Sequence, residues 1–554
     1  MTRRSMGRLM FRAPQVVGGK TLGKMFGFFF TRLGWLLVAL FIPTAVAYGN
    51  VLVVGISGEH GNFDPCIGGS PWTTEIVSAV YETPVGYRLE RIDGHWMQAI
   101  DDVNGWQPLL AEKVEVSEDG RTYTFHLRRG VRFYPSGNEM TAKDWLYSWE
   151  RQLSEPELGW CRFQNKEASI SGIDAIEILD DYTVRITTDQ PNPRTLPFMR
   201  FQMFSILDSE TVKQHATEED PWATEWLSQN TAGTGPYYIA SMDPGNELVL
   251  QANPYYWGEP PHFSTVIIKI IPETSTRLAL LARGDLDIAT NIPFRLAESF
   301  GRNPGVKVLS VPSGNRVYIG FRVDEAPYDN LALRQAIAYA VPYDDIIQFV
   351  YHGFARRYDS FVLPEIPGYS GAGFDYDLDL EKAKERLAAS GIDLSQRLTL
   401  FYNAAVPEHR EIAVLLQDYL GRIGLRVDIQ ALPAADFTSR IFAKEASFFI
   451  QGGISWIDDP STIVGLWMET GAAGNFTGFS NEEVDRLQRE WQFQPPSPER
   501  NAVYEHIQAI YNSELNVIYL ALTDHVVLMR HDIEGFVLYK DTGIRYRDLY
   551  RATN

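Results

Sequence analysis

The sequence lacks most of the features that mark an enzyme or a metalloprotein. Its 554 residues include only two cysteines, too few for a structural zinc site. It has no G-x-S-x-G turn of a serine hydrolase and no H-E-x-x-H helix of a zinc peptidase. The nearest approach to the latter, at residues 408–411, has the wrong order. We therefore expect no catalytic residue, no metal site and no cofactor, and interpret the chain as a non-enzyme.

Basic charge is also scarce. The formal net charge is −20, and residues 1–47 contain seven basic residues and no acidic one, so the remainder is more acidic still. Such a surface repels nucleic acid and anionic lipid, which excludes both as expected partners. The chain is also too long for one ordinary domain, which predicts two or three.

Long hydrophobic runs are missing. The longest near the N-terminus, residues 33–42, follows Arg32 and is too short to span a bilayer. A small-x-small pattern ends at Ala47, so residues 1–47 are predicted to be a cleaved signal peptide that delivers the protein to the periplasm. No cysteine stands at the cleavage point, so we do not expect a lipoprotein. An uncleaved anchor, a twin-arginine signal at Arg3-Arg4 and a start at Met25 remain alternatives.

The hydrophobic pattern predicts an α/β fold. Residues 109–153 contain a β-hairpin with one buried face, followed by a helix that begins with a capping box at Thr141 and Asp144. A second hairpin follows at residues 173–188. From residue 317 onward strands alternate with helices, which predicts a mainly parallel sheet whose ligands gather at the carboxyl ends of its strands.

One such strand end combines several kinds of chemistry. Residues 448–467 read FFIQGGISWIDDPSTIVGLW, in which a buried strand leads through two glycines to Trp456, Asp458 and Asp459. A stacking surface and two carboxylates at a strand end are typical of a ligand site. The alternative interpretation is a strand that ends in a turn, with Asp459-Pro460 beginning the next helix.

Residues 109–150 strongly resemble the signature region of the extracellular solute-binding proteins of the oligopeptide and dipeptide class, which serve ATP-driven importers. The resemblance continues through residues 233–239 (GTGPYYI), 253–257 (NPYYW), 283–287 (RGDLD) and 333–341 (LRQAIAYAV). It implies an α/β, periplasmic-binding-protein-like fold with two lobes, a hinge and three domains on a discontinuous chain. The implied boundaries are 48–90, 218–312 and 528–554 for domain I, 91–217 for domain II, and 313–527 for domain III, the ligand-binding lobe.

The resemblance also implies a function. The protein would capture an oligopeptide or peptide-like solute between two closing lobes and deliver it to an inner-membrane ABC permease and its ATPase, acting as a monomer. The implied ligand-binding residues are Ile67, Gly68, Gly69, Ser70, Tyr402, Gly453, Ser455, Trp456, Asp458 and Asp459. Asp459 keeps the spacing from Trp456 at which relatives hold the ligand's amino terminus, and Asp458 is the alternative carboxylate.

Three other hypotheses stay open. The same scaffold could bind an oligosaccharide or an opine, for which aromatic residues such as Tyr402 and Trp456 would offer stacking surfaces. A membrane-tethered sensor and a hydrolase are less favoured.

Cys66 and Cys161 are expected either to form a disulfide in an oxidising compartment or to be two separately buried thiols.

Overall fold

The computed structural model describes residues 50–67, 71–92, 94–99, 103–154, 159–455, 457–541 and 543–552. The predicted signal peptide and four predicted ligand residues, Gly68, Gly69, Ser70 and Trp456, lie outside the described residues.

Strands account for much of the chain. In order they are β1 (Val51–Ile56), β2 (Val85–Tyr87), β3 (Leu89–Ile92), β4 (His95–Gln98), β5 (Trp106–Pro108), β6 (Ala111–Val116), β7 (Thr122–Leu127), β8 (Ile176–Asp180), β9 (Thr183–Thr187), β10 (Tyr237–Asp243), β11 (Glu247–Ala252), β12 (Thr265–Ile270), β13 (Ile288–Ala289), β14 (Val306–Phe321), β15 (Ala355–Arg356), β16 (Arg397–Asn403), β17 (Arg426–Leu432), β18 (Phe448–Gly453), β19 (Val517–Arg530), β20 (Ile533–Glu534), β21 (Val537–Leu538) and β22 (Tyr550–Arg551).

Helices alternate with these strands, most regularly after β14. They are α1 (Pro71–Val80), α2 (Ala142–Ser154), α3 (Gly159–Glu167), α4 (Thr195–Phe198), α5 (Ser209–Gln214), α6 (Thr224–Leu227), α7 (Thr274–Arg283), α8 (Phe294–Phe300), α9 (Leu331–Tyr339), α10 (Tyr343–Asp345, continued by a π-helical turn at Ile346–Val350), α11 (Leu380–Ser390), α12 (Pro407–Arg422), α13 (Ala434–Phe442), α14 (Pro460–Trp467), α15 (Glu482–Trp491) and α16 (Pro498–Ser513).

The predicted hairpins are confirmed. Strands β6 and β7 pair antiparallel, as do β8 and β9, and the four form one sheet in the order β6-β7-β9-β8. The capping box is present too, because the Thr141 backbone N–H donates to the Asp144 carboxylate over 2.8 Å. Trp145 and Trp149 of α2 are buried against this sheet.

One large sheet runs through the rest of the molecule in the order β10-β11-β12-β1-β13-β19-β14-β18-β16-β17, with β15 paired to β19. Its centre is the antiparallel pair β14 and β19, registered from Val306 and Arg530 at one end to Gly320 and Val517 at the other. The register shifts between Pro312 and Asn315, which is an irregularity of the β-bulge kind inside the pair.

The apolar cores divide the molecule into two lobes. One core draws its residues from 317–522 and defines the second lobe. The other cores draw theirs from the chain before residue 307 and after residue 526, and they define the first lobe. Ile457 is a second-lobe side chain that is fully buried in a first-lobe core, and Phe354 packs against another first-lobe core. Strands β14 and β19 connect the lobes.

The second-lobe sheet is less parallel than the sequence pattern predicts. Strands β16, β17 and β18 are parallel to one another, but β18 is antiparallel to β14, and β14 to β19. The reason is that the chain enters the second lobe along β14 and leaves it along β19, so these two neighbours run in opposite directions. The domain boundaries given above stay predictions.

A disulfide joins Cys66 in the loop after β1 to Cys161 in α3. The Cα atoms are 5.5 Å apart, and the bond links positions 95 residues apart in sequence. Both side chains are buried in the same first-lobe core. The bond therefore ties the chain at Cys66 to α3 within the first lobe.

We expect the Cys66→Ser/Cys161→Ser double variant to lose on the order of 4 to 5 kcal/mol of unfolding free energy, because closing a loop of this length restricts the unfolded chain. Urea unfolding under oxidising conditions measures the loss, and the wild-type protein unfolded with a reductant is the control. An unchanged unfolding midpoint in the double variant would contradict this expectation.

Candidate functional site

A cavity lies at the carboxyl edge of the second-lobe sheet. The parallel strands β16 and β18 end there at Asn403 and Gly453, and α12 begins a few residues beyond β16. Because carboxyl ends of parallel strands meet at one edge, this is where α/β proteins place their ligands. The cavity has a volume of about 440 Å³.

Both connecting strands contribute to the cavity wall. Asn315 and Val317 of β14 line it, as do Thr523, Asp524 and His525 of β19. The site is therefore next to the irregular part of the β14 and β19 pair, where the two lobes join. A relative movement of the lobes would change the shape of this cavity.

Three buried polar groups in the cavity wall have no hydrogen-bond partner among the described residues. They are the Tyr351 hydroxyl, Nδ1 of His409 and Nε2 of His525. Burial lowers the pKa of His409 and of His525 to about 4, so both imidazoles are neutral at pH 7. A neutral imidazole carries one acceptor nitrogen, which can bind a donor from a ligand.

Two carboxylates also line the cavity. Glu408 begins the first turn of α12, and burial followed by repulsion from Glu411 raises its pKa. Asp524 lies on β19 and accepts a hydrogen bond from the Ser310 hydroxyl. Neither forms an ion pair with a described residue, so the wall carries negative charge.

The two glycines at the end of β18 open the backbone to the cavity. Gly452 and Gly453 pair on one side with Val317 and Arg316 of β14. On the other side β18 is registered with β16 farther back, at Phe449. A Cβ atom added at position 453 would meet no atom within 4 Å, so the backbone at this end of the strand is not covered by a neighbouring group.

Asp459 occupies a structural position. Its carboxylate accepts from the Ser461 backbone N–H at 2.9 Å and so caps α14. It also accepts two hydrogen bonds from the buried Arg500 guanidinium, at 2.7 and 3.0 Å. Although burial by itself opposes ionisation, Arg500 holds the pKa of Asp459 below its usual range. The geometry favours the helix-starting interpretation of this residue.

Asp458 bridges the two lobes. Its carboxylate is 2.8 Å from the Lys540 ammonium, which follows β21 of the first lobe, and 3.4 Å from the Arg316 guanidinium on β14. The side chain is almost fully buried. Both of the carboxylates that the sequence singles out are therefore partnered by protein cations.

The remaining predicted ligand residues are dispersed. Tyr402 is buried in the second-lobe core, and the Ser455 hydroxyl donates to the Ile457 carbonyl at 2.7 Å. Ile67 is partly exposed beside the disulfide. Gly453 is the one of this set that lines the cavity described above.

Sequence reasoning missed most of the cavity wall. Residues 408–411 resemble a zinc motif in the wrong order, and the signal that could have placed them in the cavity wall is their position just beyond the carboxyl end of β16. Tyr351, Asp524 and His525 carry no local signal, because they reach the cavity only through the tertiary fold. Asp524 and His525 lie within the long strand β19.

No group of three or more potential metal ligands occurs in the part of the chain that the structure describes. A search of the same residues for a helix long and apolar enough to cross a membrane found none.

Several known proteins resemble this chain along nearly its whole length. The "Probable D,D-dipeptide-binding periplasmic protein DdpA" of Escherichia coli K12 is 28% identical over 88% of this chain and 91% of its own. Heme-binding protein A of Haemophilus influenzae is 27% identical over 78% and 81%. The periplasmic binding protein DppA of Helicobacter pylori, solved in complex with the peptide STSA, is 26% identical, with a TM-score of 0.75 over 90% of this chain and 98% of that one.

A family comparison gives the broader assignment. The sequence model of the bacterial extracellular solute-binding proteins, family 5, matches residues 105–475. That match covers about two thirds of the 554 residues. This chain therefore belongs to the bacterial extracellular solute-binding proteins of family 5.

Proposed function

We propose that the protein is a periplasmic binding protein that captures a peptide or peptide-like solute between its two lobes and delivers it to an inner-membrane ABC permease and its ATPase. The observation that carries this proposal is the position of the cavity. It lies at a carboxyl strand edge and against the two strands that connect the lobes, so movement of the lobes would close it around a solute. The names of the relatives, which include dipeptide-binding proteins, support a peptide-like solute.

The backbone at the end of β18 supports a mode of binding. An extended ligand can pair its main chain with the open edge at Gly453 and Ser455, as an added strand does. On the first-lobe side, the loop of residues 67–70 would contact the same ligand. Ile67 belongs to that loop, and the adjacent disulfide at Cys66 would hold it in place. We further propose a cleaved signal peptide, no lipid anchor, a monomer and no catalytic step.

The direct test is mass spectrometry of solute released from the denatured protein after purification from its host. We expect a peptide or a compound with peptide bonds. Recovery of a sugar or an opine in stoichiometric amount would contradict the peptide proposal and favour the alternative ligands of the same scaffold.

Gly453→Leu tests the strand edge. The Cβ atom at this position would meet no other atom, so we expect the fold to keep its melting temperature while ligand affinity falls by at least about tenfold through steric exclusion. Calorimetry with the released solute measures this loss. The control is Gly421→Leu, at an exposed position of α12 that is equally unobstructed but away from the cavity. Equal affinity of both variants would refute a role for the β18 edge.

The two interpretations of Asp459 give opposite results in an Asp459→Asn variant. A residue that caps α14 and pairs with Arg500 should mainly stabilise the fold. Removing one member of a buried ion pair costs on the order of 3 to 5 kcal/mol.

We therefore expect Asp459→Asn to lower the unfolding free energy by roughly that amount. The control Asp428→Asn, which breaks an exposed pair with Arg397, should lower it by less than about 1 kcal/mol. Urea unfolding of both variants provides the comparison. An Asp459→Asn protein of undiminished stability that no longer binds free-amine peptides would instead establish Asp459 as the amine anchor.

A further inference from the structure

The cavity wall contains acidic side chains but no basic side chain that could neutralise them among the described residues. Glu408 and Asp524 line it, and no lysine or arginine does so among the described residues. The two histidines in its wall are neutral at pH 7 because burial lowers their pKa. The wall therefore carries only negative formal charge.

The nearest arginine on β14 is directed elsewhere. Successive side chains of a strand point to opposite faces, and Asn315 and Val317 line the cavity, so Arg316 between them points away from it. Its guanidinium donates to the Phe361 carbonyl at 2.7 Å and the Gly314 carbonyl at 2.9 Å, and it lies 3.4 Å from the Asp458 carboxylate. The Arg316 guanidinium therefore interacts with groups other than the carboxylates of the cavity wall.

In a neighbouring cavity, the acidic side chains of the wall are matched by basic side chains of the same wall. It is lined by two pairs of opposite charge, Arg356 with Glu365 and Lys540 with Asp458. The members of the pairs are 2.6 and 2.8 Å apart. Each charge there has its counterion in the protein, so that cavity has no net demand for a charged ligand.

The cavity lined by Glu408 and Asp524 has a second feature that does not depend on its charge, namely buried polar groups without a hydrogen-bond partner among the described residues. His409 is 5% exposed and Tyr351 is 2% exposed, yet Nδ1 of the first and the hydroxyl of the second have no hydrogen-bond partner among the described residues. Leaving such buried groups without a hydrogen-bond partner is energetically unfavourable. A ligand that reaches them would recover this cost.

We infer that this cavity receives a cationic nitrogen of the solute, either its α-ammonium group or a basic side chain. The inference rests on the proposed function and specifies the chemistry of its ligand. An ammonium group has three donors and no acceptor, which matches a wall of carboxylates and acceptor-capable imidazole and phenol groups.

Two further features support a cation. Burial and the charge of Glu411 both raise the pKa of Glu408, so a positive group beside Glu408 stabilises its ionised form. The aromatic rings of Phe294 and Tyr351 also line the cavity, with ring centroids 5.4 Å apart, and can offer their faces to a cation. A ligand carboxylate would be repelled from the same position.

Four matched peptides test the inference on the wild-type protein by calorimetry. They are Lys-Leu, norleucyl-Leu, and the N-acetylated form of each. Peptides with the recognised ammonium should bind roughly tenfold to a hundredfold more tightly than N-acetyl-norleucyl-Leu, which has none. Loss on acetylation identifies the α-ammonium group, and loss on replacing lysine by norleucine identifies the side chain. Equal binding of all four would overturn the inference.

Two variants test whether the preference for a cationic peptide comes from this cavity. Glu408→Gln should remove most of the preference for the cationic peptide, while Glu411→Gln should preserve it. Glu411 lies one turn along α12 and carries the same charge but does not line the cavity. An equal effect of the two variants would overturn the assignment to the cavity.

The identity of the solute released from the purified protein distinguishes a failure of the inferred cation site from a failure of the proposed function. A released peptide with a cationic nitrogen supports both. A released peptide without one overturns the inference and leaves the proposed function standing. If no solute is released and none of the four peptides binds, the proposed function fails and the inference fails with it.

Discussion

The antiparallel pairing of β14 and β19 is the interaction on which the rest of the structure depends. Val306 and Leu528 anchor it in a first-lobe core, and Phe321 and Val517 anchor it in the second-lobe core. Backbone hydrogen bonds thus hold together two bodies that otherwise bury separate apolar surfaces. The irregularity between Pro312 and Asn315 interrupts this pairing where the chain passes from one body to the other. The cavity lies against the same segment, since Ser313 and Asn315 line it.

The carboxylates near this joint are of two kinds, those paired with protein cations and those without a described counterion. Asp459 and Arg500 satisfy each other, and Asp458 is matched by Lys540 and Arg316. These groups fix the position of the segment after β18. Glu408 and Asp524, in contrast, have no counterion among the described residues.

The sequence predicts the local parts of this structure well. Alternating residues and a capping box locate the first hairpin and α2. The long strands escape prediction because Pro312-Ser313-Gly314 has the composition of a turn, although it forms a bulge within β14. The resemblance predicts the family and the two-lobed fold. The cavity wall could not be predicted, since Tyr351, His409 and His525 meet only after the sheet is assembled.

Ile457 has a further consequence for transport. This second-lobe side chain is fully buried in a first-lobe core, and burying an isoleucine contributes roughly 1.5 to 3 kcal/mol. That contribution favours contact between the lobes whether or not a solute is present. If an importer responds to the closed form, the size of this one apolar side chain would help to set how often the importer engages an empty binding protein.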